Sequence, residues 1–122
     1  FDRLCGSKAV DEATRQQRAT ELASAHGLVL VLKGHRTLVT DGAFSHFNTT
    51  GNPGMATGGA GDVLTGVITA LLCQGMRPRD AAQLGVYVHG LAGDQAAEAC
   101  STVAMTARDM IQYLPAAWLQ IQ

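Results

Sequence analysis

Asn48-Thr-Thr-Gly-Asn-Pro-Gly-Met-Ala-Thr-Gly-Gly-Ala-Gly-Asp62 runs directly into a helical pattern of apolar residues, Val63, Leu64, Val67, Ile68, Leu71 and Leu72. Five of the chain's 14 glycines fall between Gly51 and Gly61. Glycine gives up side-chain packing for close backbone approach. A loop this rich in it, opening a helix, predicts an anion held on free N–H groups at the positive end of the helix dipole. Asp62 is the first acid after the glycines. On local features alone its commoner role is a helix N-cap. The glycine density goes beyond what a cap needs and favours a carboxylate standing beside a phosphate, where it can take a proton from an attacking hydroxyl. The turn lacks the Lys-Ser/Thr of a Walker A loop and the strand-then-G-x-G-x-x-G order of a dinucleotide fold.

Upstream, good helix formers from Asp11 to His26 predict a helix with Ala19, Leu22, Ala23 and His26 on one face and Gly27 as its stop. Leu28-Val-Leu-Val-Leu32 is an unbroken apolar run, predicted as a strand buried on both faces of a parallel sheet. Thr37–Thr40 and Ala43–Phe47 around Asp41-Gly42 predict an antiparallel excursion at the sheet edge. Between these lies Lys33-Gly-His-Arg-Thr37, where Lys33 is a candidate phosphate cation, Gly34 allows backbone approach and Thr37 offers a hydroxyl. The ordinary alternative for Lys33 is a solvated strand-end lysine.

Downstream, Gly75 is predicted to end the helix after Asp62, and Pro78 to sit in the first turn of the next, which runs from Arg79 to about Cys100. Its stripe is Ala81, Leu84, Val88 and Leu91. Gly85, Gly90 and Gly93 within it predict close helix–helix or helix–loop contact. Thr106-x-x-Asp109 predicts the cap of a last short helix carrying Met110, Ile111 and Leu114, ended or kinked by Pro115.

The chain has 122 residues, 47% hydrophobic and 16% charged, which predicts one globular domain. A net charge of -1 and 5% aromatic content offer nucleic acid neither a basic field nor a stacking surface. No apolar run is long enough to span a bilayer. Cys5, Cys73 and Cys100 show no metal or disulfide spacing, and reduced thiols in a cytoplasmic protein are expected. His26, His35, His46 and His89 lack metal-ligand spacing and are expected to be exposed or locally bonded. His89-Gly90 with Asp94 carries a weak signal of a supporting role.

The quoted loop through Gly66, together with Gly85-Val-Tyr-Val-His-Gly-Leu-Ala-Gly-Asp94 and Lys33-Gly-His-Arg-Thr37, closely resembles the ADP-dependent NAD(P)H-hydrate dehydratases of the ribokinase-like superfamily. The resemblance covers nearly the whole chain. Its Asn52-Pro-Gly-Met-Ala56 run is the specific part; the Gly-Gly-x-Gly-Asp turn is common to the superfamily's kinases. The resemblance implies a three-layer αβα fold, of which this chain is the C-terminal half with an incomplete sheet, forming a single partial domain over residues 1–122. It implies a lyase that repairs hydrated NADH or NADPH. ADP, as co-substrate with Mg2+, phosphorylates the hydrate hydroxyl, and phosphate is then eliminated, leaving AMP. Carried onto this sequence, Asp62 is the base and substrate contact. Gly59, Ala60 and Gly61 form the anion hole, and Lys33, Gly34, His35, Arg36, Thr37 and Gly61 hold the nucleotide. No protein metal cage is implied. A homo-oligomer is expected. The alternatives are a ribokinase-like kinase of a vitamin precursor or sugar, and a nucleotide-binding or assembly fragment without turnover.

Overall fold

The computed structural model describes all 122 residues, as two compact units, Phe1–Phe47 and Asn48–Gln122. The first unit opens its regular structure with helix α1, Glu12–His26. The Asp11 side chain accepts from the Thr14 N–H at 2.7 Å, and Gly27 closes the helix in the left-handed conformation at φ 61°. Ala19 and Ala23 are the buried residues, whereas His26, predicted on the same face, is exposed. The alanine face lets strands approach closely, and Ala19 forms a small core with Leu32 and Leu38, flanked by Phe1, Leu30 and Phe47.

Three short strands follow: β1 Leu30–Leu32, β2 Leu38–Thr40 and β3 Ser45–Phe47, in the order β1-β2-β3 and antiparallel throughout. This corrects the parallel reading of the Leu28–Leu32 run. Val31 pairs with Val39 across a hairpin, and only Leu32 of β1 is fully buried. The reason is chain length: Lys33–Thr37 is too short for a parallel crossover, which needs about a dozen residues or more. The antiparallel pairing expected around Asp41-Gly42 is present. Its turn is built by the Asp41 carboxylate, which accepts from the N–H groups of Ala43 and Phe44 at 3.0 and 2.7 Å.

The second unit holds a 3-10 turn, Pro53–Met55, and three helices: α2 Ala60–Cys73, α3 Pro78–Ala104 and α4 Ala107–Ile121. Helix α2 begins three residues earlier than the apolar pattern suggested, because Gly59, at φ 87°, takes the cap position. Helix α3 outruns its predicted end at Cys100, with non-helical backbone at Ser101 (φ 70°). The Thr106–Asp109 capping box opens α4 as predicted. Pro115 does not end that helix. The proline is exposed, and burial of Ala117 against Val88, Leu91 and Ala92 of α3, with Trp118 and Ile121 packed on the same cluster, carries the helix on past the missing N–H.

The α3 glycines sit where close approach was expected. A Cβ at Gly85 would lie 2.6 Å from Ile68 Cγ1 of α2, one at Gly90 would overlap Thr50, and one at Gly93 would overlap Met55. Helix α3 thus lies against both α2 and the glycine-rich loop.

Candidate active site

The loop from Asn48 to Gly59 owes its shape to α3. Asn48 is 5% exposed, and its amide donates to the Val86 carbonyl at 3.2 Å and to the Thr50 carbonyl at 3.1 Å. The Thr50 hydroxyl donates to the Tyr87 carbonyl at 2.8 Å. Two turns further along α3, the Asp94 carboxylate accepts from the Gly51 N–H at 3.0 Å and from the Asn52 amide at 2.9 Å. Asn52 Oδ1 then accepts from the Gly54 N–H at 3.0 Å, which starts the 3-10 turn. A Cβ at Gly54 would stand 2.7 Å from the Thr102 carbonyl oxygen, so the Pro-Gly-Met segment also needs its glycine for space.

The loop delivers the chain to α2 with a glycine cap. Gly59 has no side chain to satisfy the N–H groups that open a helix. The Ala60 N–H reaches the Thr57 carbonyl at 3.3 Å, and the Asp62 and Val63 N–H groups reach the Gly59 carbonyl at 3.1 Å. The Gly61 N–H, second in the helix, is left as a donor at the positive end of the α2 dipole. Asp62 is the third residue of the helix rather than its cap, and it is exposed. Its carboxylate takes part in neither of the chain's ion pairs, Arg15–Glu12 and Arg77–Asp80. Of the three predicted anion-hole residues, Gly59 is exposed, Gly61 is half-buried, and Ala60 is 3% exposed with its N–H turned to Thr57.

The predicted nucleotide segment Lys33–Thr37 lies in the first unit as the tip of the β1–β2 hairpin. Lys33, Gly34, His35 and Arg36 are exposed. Arg36 takes positive φ (55°) and sets its guanidinium 5.6 Å from the centroid of the Phe47 ring. The Thr37 hydroxyl donates to the Gly34 carbonyl at 3.3 Å and keeps its lone pairs free to accept.

His89 departs from expectation. It is 6% exposed, and its Nε2 lies 2.9 Å from the carbonyl oxygen of Ala60, 29 residues away. A helix packed on a glycine-lined approach buries whatever stands beside the glycine, and His89 precedes Gly90. His46 is half-buried and stacks on Phe44 with centroids 6.4 Å apart; His26 and His35 are exposed. No three His, Cys, Asp or Glu side chains gather to hold a metal. An apolar groove of about 750 Å³ runs between α2, α3 and α4, lined by residues such as Val67, Leu71, Leu84, Leu114 and Trp118. Its lining carries no titratable group.

Comparison with known proteins agrees with this geometry. A family model described as NAD(P)H-hydrate dehydratase matches residues 1–116. The Bifunctional NAD(P)H-hydrate repair enzyme Nnr of Moorella thermoacetica is 47% identical over 116 residues, which are 93% of this chain and 22% of that protein. The crystal structure of the ADP/ATP-dependent NAD(P)H-hydrate dehydratase from Bacillus subtilis, co-crystallized with ATP/Mg2+, superposes with a TM-score of 0.84 at 32% identity, over 91% of this chain and 40% of the other. A ribokinase-like superfamily protein from Enterococcus faecalis V583 gives a TM-score of 0.69 at 36% identity, over 91% of this chain and 37% of its own. The chain therefore spans less than half the length of each of these relatives, and its α/β fold is ribokinase-like. With the specific loop, its anchors on α3 and this likeness all in agreement, the chain belongs to the NAD(P)H-hydrate dehydratase family.

Proposed function

We propose that this chain supplies the phosphoryl-transfer turn of an ADP-dependent dehydratase acting on hydrated NADH or NADPH, as the C-terminal half of a single domain. The observation that carries the reading is the start of α2: a glycine cap, the Gly61 N–H left as a donor, and the exposed Asp62 carboxylate one residue on. In the proposed reaction Asp62 takes the proton of the hydrate hydroxyl. That oxygen bonds to the terminal phosphorus of ADP while the bond from phosphorus to AMP breaks. The ring carbon–oxygen bond then breaks, phosphate leaves with the electron pair, and loss of the neighbouring ring proton restores the dihydronicotinamide. Gly59, Ala60 and Gly61 line the place where negative charge develops. Using Ala60 requires its long bond to Thr57 to open.

The hairpin tip Lys33–Thr37 is proposed to contact nucleotide, with Lys33 as its phosphate cation and the Thr37 hydroxyl as a further polar group. The chain's side chains do not form a Mg2+ cage; the ion is proposed to arrive on the phosphates of ADP, neutralising their charge. The relative from Bacillus subtilis, co-crystallized with ATP/Mg2+, supports this reading. No helix of the chain is long and apolar enough to cross a membrane. A cytoplasmic homo-oligomer is the proposed working state.

The test mixes the protein with ADP, Mg2+ and hydrated NADH and follows the return of dihydronicotinamide absorbance. Asp62→Asn is expected to abolish that return while ADP binding and stability stay near wild type, since Asp62 caps nothing. An unchanged rate in that variant refutes the assignment. Binding of ADP with no turnover by this chain would instead favour the nucleotide-binding reading, which draws on the chain's covering only 40% of the Bacillus subtilis enzyme.

A further inference from the structure

Helix α3 holds both ends of the glycine-rich loop, and the two holds differ in kind. Asp94 grips the entrance through the Gly51 N–H and the Asn52 side chain. At the exit, His89 grips a backbone carbonyl, that of Ala60, at 2.9 Å. A carbonyl oxygen can only accept, so the Nε2 atom of His89 carries the proton in this bond. The Ala60 carbonyl belongs to the same planar peptide unit as the Gly61 N–H. No peptide bond in the chain is cis, so that N–H points opposite to the carbonyl. Fixing the Ala60 oxygen therefore fixes the direction of the Gly61 donor.

We propose that His89 is a positioning residue for the glycine turn: by donating from Nε2 to the Ala60 carbonyl it locks the Ala60–Gly61 peptide plane and aims the Gly61 N–H away from α3. The need for a lock is local. The Ala60 carbonyl takes the first-turn bond of α2 as well, and His89 adds the hold from outside the helix, on a plane flanked by Gly59 and Gly61 where no side chain caps the helix. Ala60 and His89 are both buried, at 3% and 6% exposure, so the bond is shielded from competition by water. The bond also polarises the peptide, since a carbonyl that accepts a further proton makes its partner N–H a stronger donor. Its neighbour in sequence, Gly90, is the position where a Cβ would overlap Thr50, so His89 is brought to Ala60 by the same close approach that seats the loop. The inference rests on the reading of this turn as a phosphate site.

The test has an arm that needs no ligand. In 15N-labelled wild-type protein the imidazole spectrum should show a protonated Nε2 on His89; a bare Nε2 with the proton on Nδ1 overturns the proposal. H89Q can place an amide N–H where Nε2 stood, whereas H89L cannot. The Gly61 amide resonance should move in H89L and return close to its wild-type position in H89Q. In a second arm, ADP is titrated while the Gly61 amide is followed. H89L should bind ADP about tenfold more weakly, the loss of one hydrogen bond to a charged group, and H89Q should recover most of that loss. A folded H89L with wild-type Gly61 resonance and ADP affinity overturns the proposal, as does an H89Q that recovers neither. If H89L does not fold, the wild-type tautomer and H89Q decide. If ADP leaves Gly61 unmoved in wild type while the first arm behaves as stated, the phosphate reading fails and the positioning role stands.

Discussion

Gly90→Ala tests whether α3 and the loop are fitted to each other. An added Cβ would stand 2.8 Å from the Thr50 carbonyl carbon and 2.9 Å from Thr50 Cβ, and would overlap its hydroxyl. Thr50 cannot swing aside freely, because its hydroxyl is bonded to Tyr87 O at 2.8 Å and it also receives the Asn48 amide at 3.1 Å. Three contributions set the outcome. Overpacking a fitted contact costs about 1–3 kcal/mol. Displacing Thr50 weakens two hydrogen bonds, each worth about 0.5–1.5 kcal/mol. Against these, alanine is better than glycine inside a helix by about 1 kcal/mol. The net expectation is a loss of about 1–5 kcal/mol. Gly66 in α2 is the control: a Cβ there meets nothing within 4 Å, so Gly66→Ala should raise stability by up to about 1 kcal/mol. Urea unfolding followed by Trp118 fluorescence reads both variants, since that residue packs in the α3–α4 cluster of the same unit. At a slope of about 1–2 kcal/mol/M, Gly90→Ala should lower the midpoint by about 0.5 M or more. If Gly90→Ala stabilises as much as Gly66→Ala, the close fit of loop to helix is refuted.

Asp94→Ala removes the acceptor for both Gly51 and Asn52, and should cost about 1–3 kcal/mol and speed amide exchange of Gly51 and Gly54 while leaving the α4 amides protected. Pro115→Ala restores an N–H inside α4 at an exposed position, and a gain of about 1–3 kcal/mol by urea unfolding is expected; a loss would mean that the proline itself is packed. The Thr14 backbone N–H, and then its side chain, hold the Asp11 carboxyl below its ordinary 3.8. A depressed folded value means that this cap contributes fully above the ordinary value and is lost as pH falls through the lowered one. Exchange protection at Thr14 and Arg15 should therefore fade as pH falls below the ordinary 3.8 and through the lowered value in wild type, and show no such step in Asp11→Asn.

Much of this molecule is readable from local residues because those residues answer local questions. Gly27 and the Thr106–Asp109 pair end or begin helices with atoms a few residues away, and each stands in its expected place, while Asp11, expected within the first helix, is its N-cap. The glycines of α3 announced close contact because a helix keeps such residues only for space. The Leu28–Leu32 run misled because an apolar stretch reports burial, not the direction of its neighbour; the length of Lys33–Thr37 held that information. The anchors of the site were hardest to see. Asn48, Thr50, His89 and Asp94 find partners 29 to 43 residues away, and local pattern gives only a weak mark of such residues, at His89-Gly90 and Asp94. A usable signal was there even so: the polar residues beside or one helical turn beyond Gly90 are the ones that grip the loop.

The anchors gathered on α3 between Val86 and Asp94, roughly 12 Å of helix, also say when the site can exist. The residues of the glycine-rich loop come off the ribosome well before the helix that shapes them, and until α3 docks Asn48, Gly51 and the Ala60 carbonyl lack the partners that α3 supplies. Such distant contacts form late, after chain entropy has been lost elsewhere. The proposed anion cradle is therefore expected to form with the closing of the α2–α3 pair. A partly folded chain of this family carries the signature sequence without the cradle.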